Sequence, residues 1–134
     1  LNFVCKEFGT LPEAMLSLPT TAPLRSSIDV QNCLDLYENE KPDAVITVTE
    51  SHRNPFFNMI RKNDDGIACL VCDREDRIRC RQDAPDVFDM TTVAYVVNSQ
   101  FVMQSDSLFD GKVMCVDVPV RFRRLSFDLW AQDR

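Results

Sequence analysis

Glycine is scarce in this 134-residue sequence: only Gly9, Gly66 and Gly111 occur, and no two are close. A nucleotide-binding α/β domain usually carries a glycine-rich loop whose backbone amides close on the phosphates. No stretch of this sequence can form one. Histidine is rarer still, with His52 alone. It is the one side chain that titrates near neutrality and so a candidate general base, but the polar run Glu50-Ser51-His52-Arg53-Asn54 reads as an exposed loop. Long apolar runs are missing too. None approaches the ~18 residues of a spanning helix, so no membrane partner is expected. Positive charge is in deficit, with 15 basic against 21 acidic residues and a net charge of −6. Nucleic-acid binders draw affinity from neutralising phosphates, and this balance disfavours that class. A small anionic substrate stays open, because a few local arginines can dominate the field inside a cleft.

What is present describes an ordinary globular domain. Hydrophobic residues make up 45% and charged residues 27%, and a chain of this length can bury a core without covalent staples. The first nine residues carry Lys6 and Glu7 and do not read as a signal peptide. The sequence opens on leucine, as a fragment of a longer protein would. The six cysteines, Cys5, Cys33, Cys69, Cys72, Cys80 and Cys115, stand mostly among apolar neighbours. They are expected as small buried residues with reduced thiols, in the cytoplasm. Cys69-x-x-Cys72 with Cys80 invites a zinc reading. A structural zinc site takes four Cys or His ligands, often as two close pairs, and His52 has no partner nearby. Residues three apart on a strand also point to opposite faces, so packing is the expected role.

Ala14-Met15-Leu16-Ser17-Leu18, stopped by Pro19 and Pro23, predicts a short buried strand leading into a loop. Ser26-x-x-Asp29 resembles a capping box, and Val30, Cys33, Leu34 and Tyr37 then fall on one helical face. Beyond Pro42, the β-branched run Ala44-Val45-Ile46-Thr47-Val48-Thr49 is the clearest strand. Strand, helix, strand is the βαβ unit of a parallel sheet. The middle differs: Ile67-Ala68-Cys69-Leu70-Val71 and Arg77-Ile78-Arg79-Cys80-Arg81 flank a charged turn at 73–76 and predict a polar hairpin, an excursion suited to contacts between subunits. Thr92-Val93-Ala94-Tyr95-Val96-Val97 returns to buried-strand character. Residues 99–104 predict a short helix, and 112–118 a strand ending at Pro119. The fold class is α/β with a mixed sheet.

Several of these segments carry a resemblance. Leu18-Pro19-Thr20-Thr21-Ala22-Pro23-Leu24-Arg25 resembles the Leu-Gln/Pro-x-Thr-Ser-Pro-Leu-Arg signature of the acylneuraminate cytidylyltransferases, the CMP-N-acetylneuraminic acid synthetases. Ala44 to Glu50 with Asn54-Pro55-Phe56-Phe57, then Arg81-Gln82-Asp83-Ala84-Pro85, Tyr95 and Leu108-Phe109, match further motifs in that family's order. The resemblance implies a Rossmann-like nucleotide-diphospho-sugar transferase fold with a protruding hairpin arm, and a homodimer formed through an excursion at 54–81. It implies transfer of CMP from CTP to a sialic-acid-type nonulosonic acid, with release of pyrophosphate. Such a reaction needs positioning, and cations against the phosphate charge, more than covalent help; the resemblance supplies Mg2+ as cofactor. Carried over by position, Arg81 would lie at the anionic sugar, and Tyr95 and Phe109 would wall the N-acyl group. Thr21 would lie beside sugar and phosphates, with Arg25 bracing its loop, and Asp128 would be a metal ligand.

The sequence also departs from the pattern. Pro19 stands where many members have glutamine, Ala22 replaces a serine, and Thr91-Thr92 replaces Asn-Gly. Of two metal carboxylates only Asp128 is kept, with Ser126 at the other position. The family's amino-terminal strand and its Gly-Gly-Ser-Lys-type loop have no counterpart in these residues, so 1–134 is expected as a partial cytidylyltransferase domain. Two alternatives follow: a non-catalytic fragment or degenerate homologue serving as an interaction and dimerisation module, or another sugar nucleotidyltransferase on the same scaffold.

Overall fold

A β-branched run with both faces buried belongs inside a sheet. Ala44–Glu50, β2, takes that place, with six of its seven residues buried. The computed structural model describes residues 1–22, 25–72 and 81–119, with the backbone alone at Arg81. The element order is α1 (Asn2–Phe8), β1 (Ala14–Ser17), α2 (Ser27–Glu40), β2, β3 (Ile60–Lys62), β4 (Ala68–Leu70), β5 (Phe88–Asn98), α3 (Ser99–Gln104) and β6 (Val113–Asp117), with 3-10 turns at Arg81–Asp83 and Leu108–Asp110. The chain divides into two compact units, Leu1–Thr49 with the chain from Met90, and Glu50–Asp89. Among the described residues no helix is long and apolar enough to cross a membrane.

In the first unit the sheet order is β1-β5-β2-β6. β2 and β6 are parallel, from Ala44 opposite Val113 to Val48 opposite Asp117. β1 and β5 are antiparallel, from Ala14 opposite Asn98 to Ser17 opposite Tyr95. Asn98 N–H donates to Asp43 O at 2.9 Å and Ala94 N–H reaches Thr47 Oγ1 at 3.4 Å. Partner numbers on β5 fall as those on β2 rise, so these two strands are antiparallel as well. The mixed α/β sheet expected from the sequence is therefore present. The βαβ unit is present as well: α2 connects β1 to β2, which run parallel with β5 between them. A later segment fills that gap, which local patterning gives no means of seeing.

α2 carries the core. Its buried face is Asp29, Cys33 and Tyr37, and Val30, Leu34 and Leu36 pack beside them against Val45, Ala94 and Val96. Burial, with Asp29 one turn away adding to it, pushes the Cys33 thiol up to about 11. Ser26 caps the helix by accepting from Ile28 N–H at 3.2 Å. Asp29 does not return the bond as a capping box would; it is buried, and its Oδ2 has no hydrogen-bond partner. At the other end Lys41, in the left-handed region at φ 45°, closes the helix by donating its N–H to Tyr37 O.

Two burial expectations are corrected. β1 was expected to be buried, but it has one strand neighbour, and Met15 and Leu16 are 36% and 39% exposed. Of the five described cysteines only Cys33 is buried, while Cys69 and Cys115 are exposed. Strands at an edge, or on an excursion, have apolar composition without a second layer to cover them.

The second unit holds the antiparallel pair of β3 and β4, Ile60 opposite Leu70 and Lys62 opposite Ala68. Of the hairpin predicted from 67–71 and 77–81, only part falls within the described residues. Its first arm is present as β4 but pairs with the segment before it, residues 73–80 lie outside the described residues, and Arg81 opens a 3-10 turn rather than ending a strand. The turn chemistry explains the register. Asn63 accepts from Ile67 N–H at 2.7 Å through its side chain and from Gly66 N–H at 2.9 Å through its carbonyl. Gly66 takes φ 79°, which L side chains rarely adopt. Asn54 organises the base of the unit, donating from Nδ2 to Pro85 O at 2.8 Å and accepting from Phe56 N–H at 2.9 Å.

At the starting ends of β2 and β6, Asp43 N–H donates to Lys112 O at 2.9 Å and Asp43 Oδ2 accepts from Lys112 N–H at 2.7 Å. Gly111 makes this join possible. A Cβ there would lie 2.6 Å from Asp43 Oδ2, 2.6 Å from the Phe101 ring and 2.9 Å from Asp43 Cβ. The Gly111→Ala variant is expected to lose about 1–3 kcal/mol of stability, the usual cost of overpacking. Urea denaturation checks this; an unchanged midpoint would show that the join has slack.

Candidate functional site

β5 does not run straight. The Thr47 hydroxyl is 3.3 Å from Thr91 O and 3.3 Å from Ala94 O. Two oxygens that share one neighbour at that distance are at most about 6.6 Å apart, whereas three residues of extended strand span ~10 Å. The segment from Thr91 to Ala94 is therefore contracted into a bulge, a device that bends a strand and re-aims its side chains. Thr47 is fully buried. Besides donating to these carbonyls it accepts from Thr91 Oγ1 at 2.7 Å and Ala94 N–H at 3.4 Å, which uses the donor and both lone pairs of a hydroxyl.

The loop after β1 hangs on this bulge. Arg25 donates from Nε to Val93 O at 2.6 Å and from its Nη2 to Pro19 O. Thr21 Oγ1 donates to Thr92 Oγ1 at 3.1 Å. Ala22, where the resemblance has a serine, is buried with Val93 and Val118. Val118 follows β6 and donates its N–H to Val48 O at 2.8 Å, so the loop sits at the finishing ends of β2 and β6. That is where open α/β sheets generally bind ligands.

The residues proposed from the sequence separate into groups. Thr21 and Tyr95 come together at the bulge: Tyr95 lies opposite Ser17, the last residue of β1, and its hydroxyl donates to Thr91 O at 2.7 Å. Partial burial raises the Tyr95 phenol above its ordinary range, which keeps it a donor at neutral pH. Arg25 braces the loop, as expected. Phe109 is elsewhere. It is 64% exposed in the 3-10 turn two residues before Gly111, at the starting end of β6, and the five residues of β6, about 17 Å of strand, lie between it and the loop. Arg81 belongs to the second unit, in the turn Arg81–Asp83, and its side chain is outside the described set. Asp128 lies outside the described residues. His52 is exposed.

Sequence reading passed over Thr47, Thr91 and Thr92 as functional residues. The available signal was threonine at interior positions of two neighbouring strands, where a hydroxyl must find partners inside the sheet. With Thr21 and Tyr95, Thr91 and Thr92 bring together hydroxyls and carbonyls suited to a polyhydroxylated ligand, while Thr47 supports them from inside the sheet. Among the described residues no three His, Cys, Asp or Glu side chains converge as metal ligands; Asp128, the residue expected to hold magnesium, lies outside them, and no step is assigned to a metal.

Two curated proteins match at the level of sequence. The chain is 31% identical over 97 residues to Post-translational flagellin modification protein B of Campylobacter coli, covering 72% of this chain and 40% of that one. It is 29% identical over 104 residues to CMP-N,N'-diacetyllegionaminic acid synthase of Campylobacter jejuni subsp. jejuni, covering 78% of this chain and 43% of that one. The chain thus spans about two fifths of the length of these relatives. No family model matches it.

Replacing Arg25 by alanine removes two bonds from a charged donor, each worth about 1.5–3 kcal/mol at most. The expected result is a loss of about 2 kcal/mol in stability together with faster proteolysis within 18–25. Arg25→Lys should recover little, since an ammonium cannot reproduce the fork. If both variants resist protease like the parent, Arg25 does not hold the loop.

Proposed function

We infer the function of this chain from the family to which it belongs, the acylneuraminate cytidylyltransferases of the CMP-sialic acid synthetase type. The proposed reaction joins a sialic-acid-type nonulosonic acid to CMP. The anomeric hydroxyl attacks the α-phosphorus of CTP, a new sugar–oxygen–phosphorus bond forms, and the α–β anhydride breaks to release pyrophosphate; the hydroxyl proton passes to solvent. The name of the Campylobacter jejuni relative makes a legionaminic-acid sugar the first acceptor to consider. The observation that carries the reading is the loop 18–25, fixed by Arg25 beside Tyr95 at the finishing ends of the parallel strands.

Each residue has a defined part in this proposal. Thr21 and Tyr95 position the sugar, whose many hydroxyls match the donors and acceptors of the bulge. Tyr95 forms the wall against the N-acyl group; Phe109, at the other end of β6, is outside that pocket within one protomer. Arg81 clamps the sugar carboxylate, since a guanidinium pairs with a carboxylate in a two-point bond. Magnesium, which this class of transfer uses against phosphate charge, would draw on Asp128. The scaffold proposed is the Rossmann-like one of sugar nucleotidyltransferases.

Pyrophosphate release from CTP, with N-acetylneuraminate and the legionaminic-acid analogue as acceptors, tests the reading directly. Turnover with either acceptor, falling at least about 100-fold in the Arg81→Ala variant as expected when one partner of a charge pair formed on binding is lost, would support it. No turnover and no CTP binding would overturn catalysis by this chain and leave the interaction-module alternative.

The homodimer is proposed to form through the second unit. Every residue of β3 and β4 is exposed, so the apolar side chains Ile60 at 59% and Leu70 at 36% lack cover beside the charged Arg61 and Lys62. Sedimentation equilibrium should give twice the chain mass, and Ile60→Lys should return it to the monomer. A monomer at all concentrations in the parent chain would rule this interface out.

A further inference from the structure

The Thr47 hydroxyl is the only side-chain group that both sides of the β5 bulge share among the hydrogen bonds of the described residues. Nothing about Thr47 itself approaches a ligand: it is fully buried in the middle of β2. Its partners do approach one. Thr92 and Val93, inside the bulge, are the residues that hold Thr21 and Arg25. Thr91, at its start, receives the Tyr95 hydroxyl. All three anchors of the candidate sugar site thus come from a four-residue segment whose shape is set by one hydroxyl.

A straight β5 would place these groups differently. By the register of β1 and β5, in which Tyr95 lies opposite Ser17, Val93 falls opposite Pro19, which has no N–H to give, so its carbonyl is open to Arg25. The contraction sets where that carbonyl and the Thr92 hydroxyl stand relative to the loop. We propose that Thr47 is a positioning residue for the sugar-binding loop, acting through the β5 bulge to set Thr21 and Tyr95. The proposal rests on the functional reading above for the identity of the ligand. Its structural half, that one buried hydroxyl on β2 governs the loop 18–25, stands apart from that reading.

The two halves are tested separately. Thr47→Val keeps the shape and removes the hydroxyl; Thr47→Ser keeps the hydroxyl; Thr49→Val makes the same exchange two residues along, at another buried threonine of β2. Hydrogen exchange by the intact chain should speed up about tenfold across 18–25 and 91–95 in Thr47→Val, the equivalent of roughly one net hydrogen bond, and stay at the parent rate in Thr47→Ser and Thr49→Val. Binding of N-acetylneuraminate should weaken by a similar factor in Thr47→Val alone. If the parent binds no sugar, the functional reading fails while the exchange result still decides the role of Thr47. Equal exchange in Thr47→Val and the parent would overturn the proposal, and so would an equal effect of Thr49→Val, which would mark a general loosening of β2.

Discussion

A hydroxyl buried between two strands has to be satisfied where it stands, and at Thr47 that requirement bends the neighbouring strand. The cost of leaving such a group unpaired is about 1–3 kcal/mol, so a straight β5 beside β2 would carry a standing penalty. The bulge removes it by bringing Thr91 and Ala94 to the same oxygen. The bent strand sets where the Val93 carbonyl and the Thr92 hydroxyl stand, and these are what the loop after β1 holds. The order of dependence runs from the core outward: β2, then β5, then the loop.

The electrostatics of that loop differ from what its composition suggests. Arg25 stands in a chain with a net charge of −6, yet among the described residues it pairs with two neutral carbonyls and with no carboxylate. Its charge is therefore spent on geometry without being cancelled. A guanidinium whose donors face the backbone still projects a positive field around it, which suits a site proposed to receive an acidic sugar and a nucleoside triphosphate.

Much of the first unit was legible in the residues. β2 was readable because six buried positions in a row leave only β-branched and small side chains. The α2 face was readable because Val30, Cys33, Leu34 and Tyr37 repeat at helical spacing. The role of Arg25 followed from its place in the loop motif. What was not legible depends on partners distant in sequence. β1 has strand composition, but only the sheet order makes it an edge. The pairing of β3 with β4 rests on the turn that Asn63 and Gly66 make, which the apolar pattern of 67–71 did not signal. Phe109 fell at the far end of β6 because the join between Asp43 and Lys112 fixes where that strand begins.

The position of β5 has a further consequence. β1, α2 and β2 are consecutive, but β1 and β2 have no strand contact with each other in the sheet; each is paired with β5. The first fifty residues can form their helix early, since its capping and its face are local, but they cannot form a sheet. Assembly must wait for a segment about 80 positions further along than β1, and closing loops of that separation before any pairing is rewarded makes folding slow. On a ribosome the first unit would stay open until the whole of the second had emerged. The excursion at Glu50–Asp89 then sets the interval during which the unpaired strands β1 and β2 are exposed to misassociation.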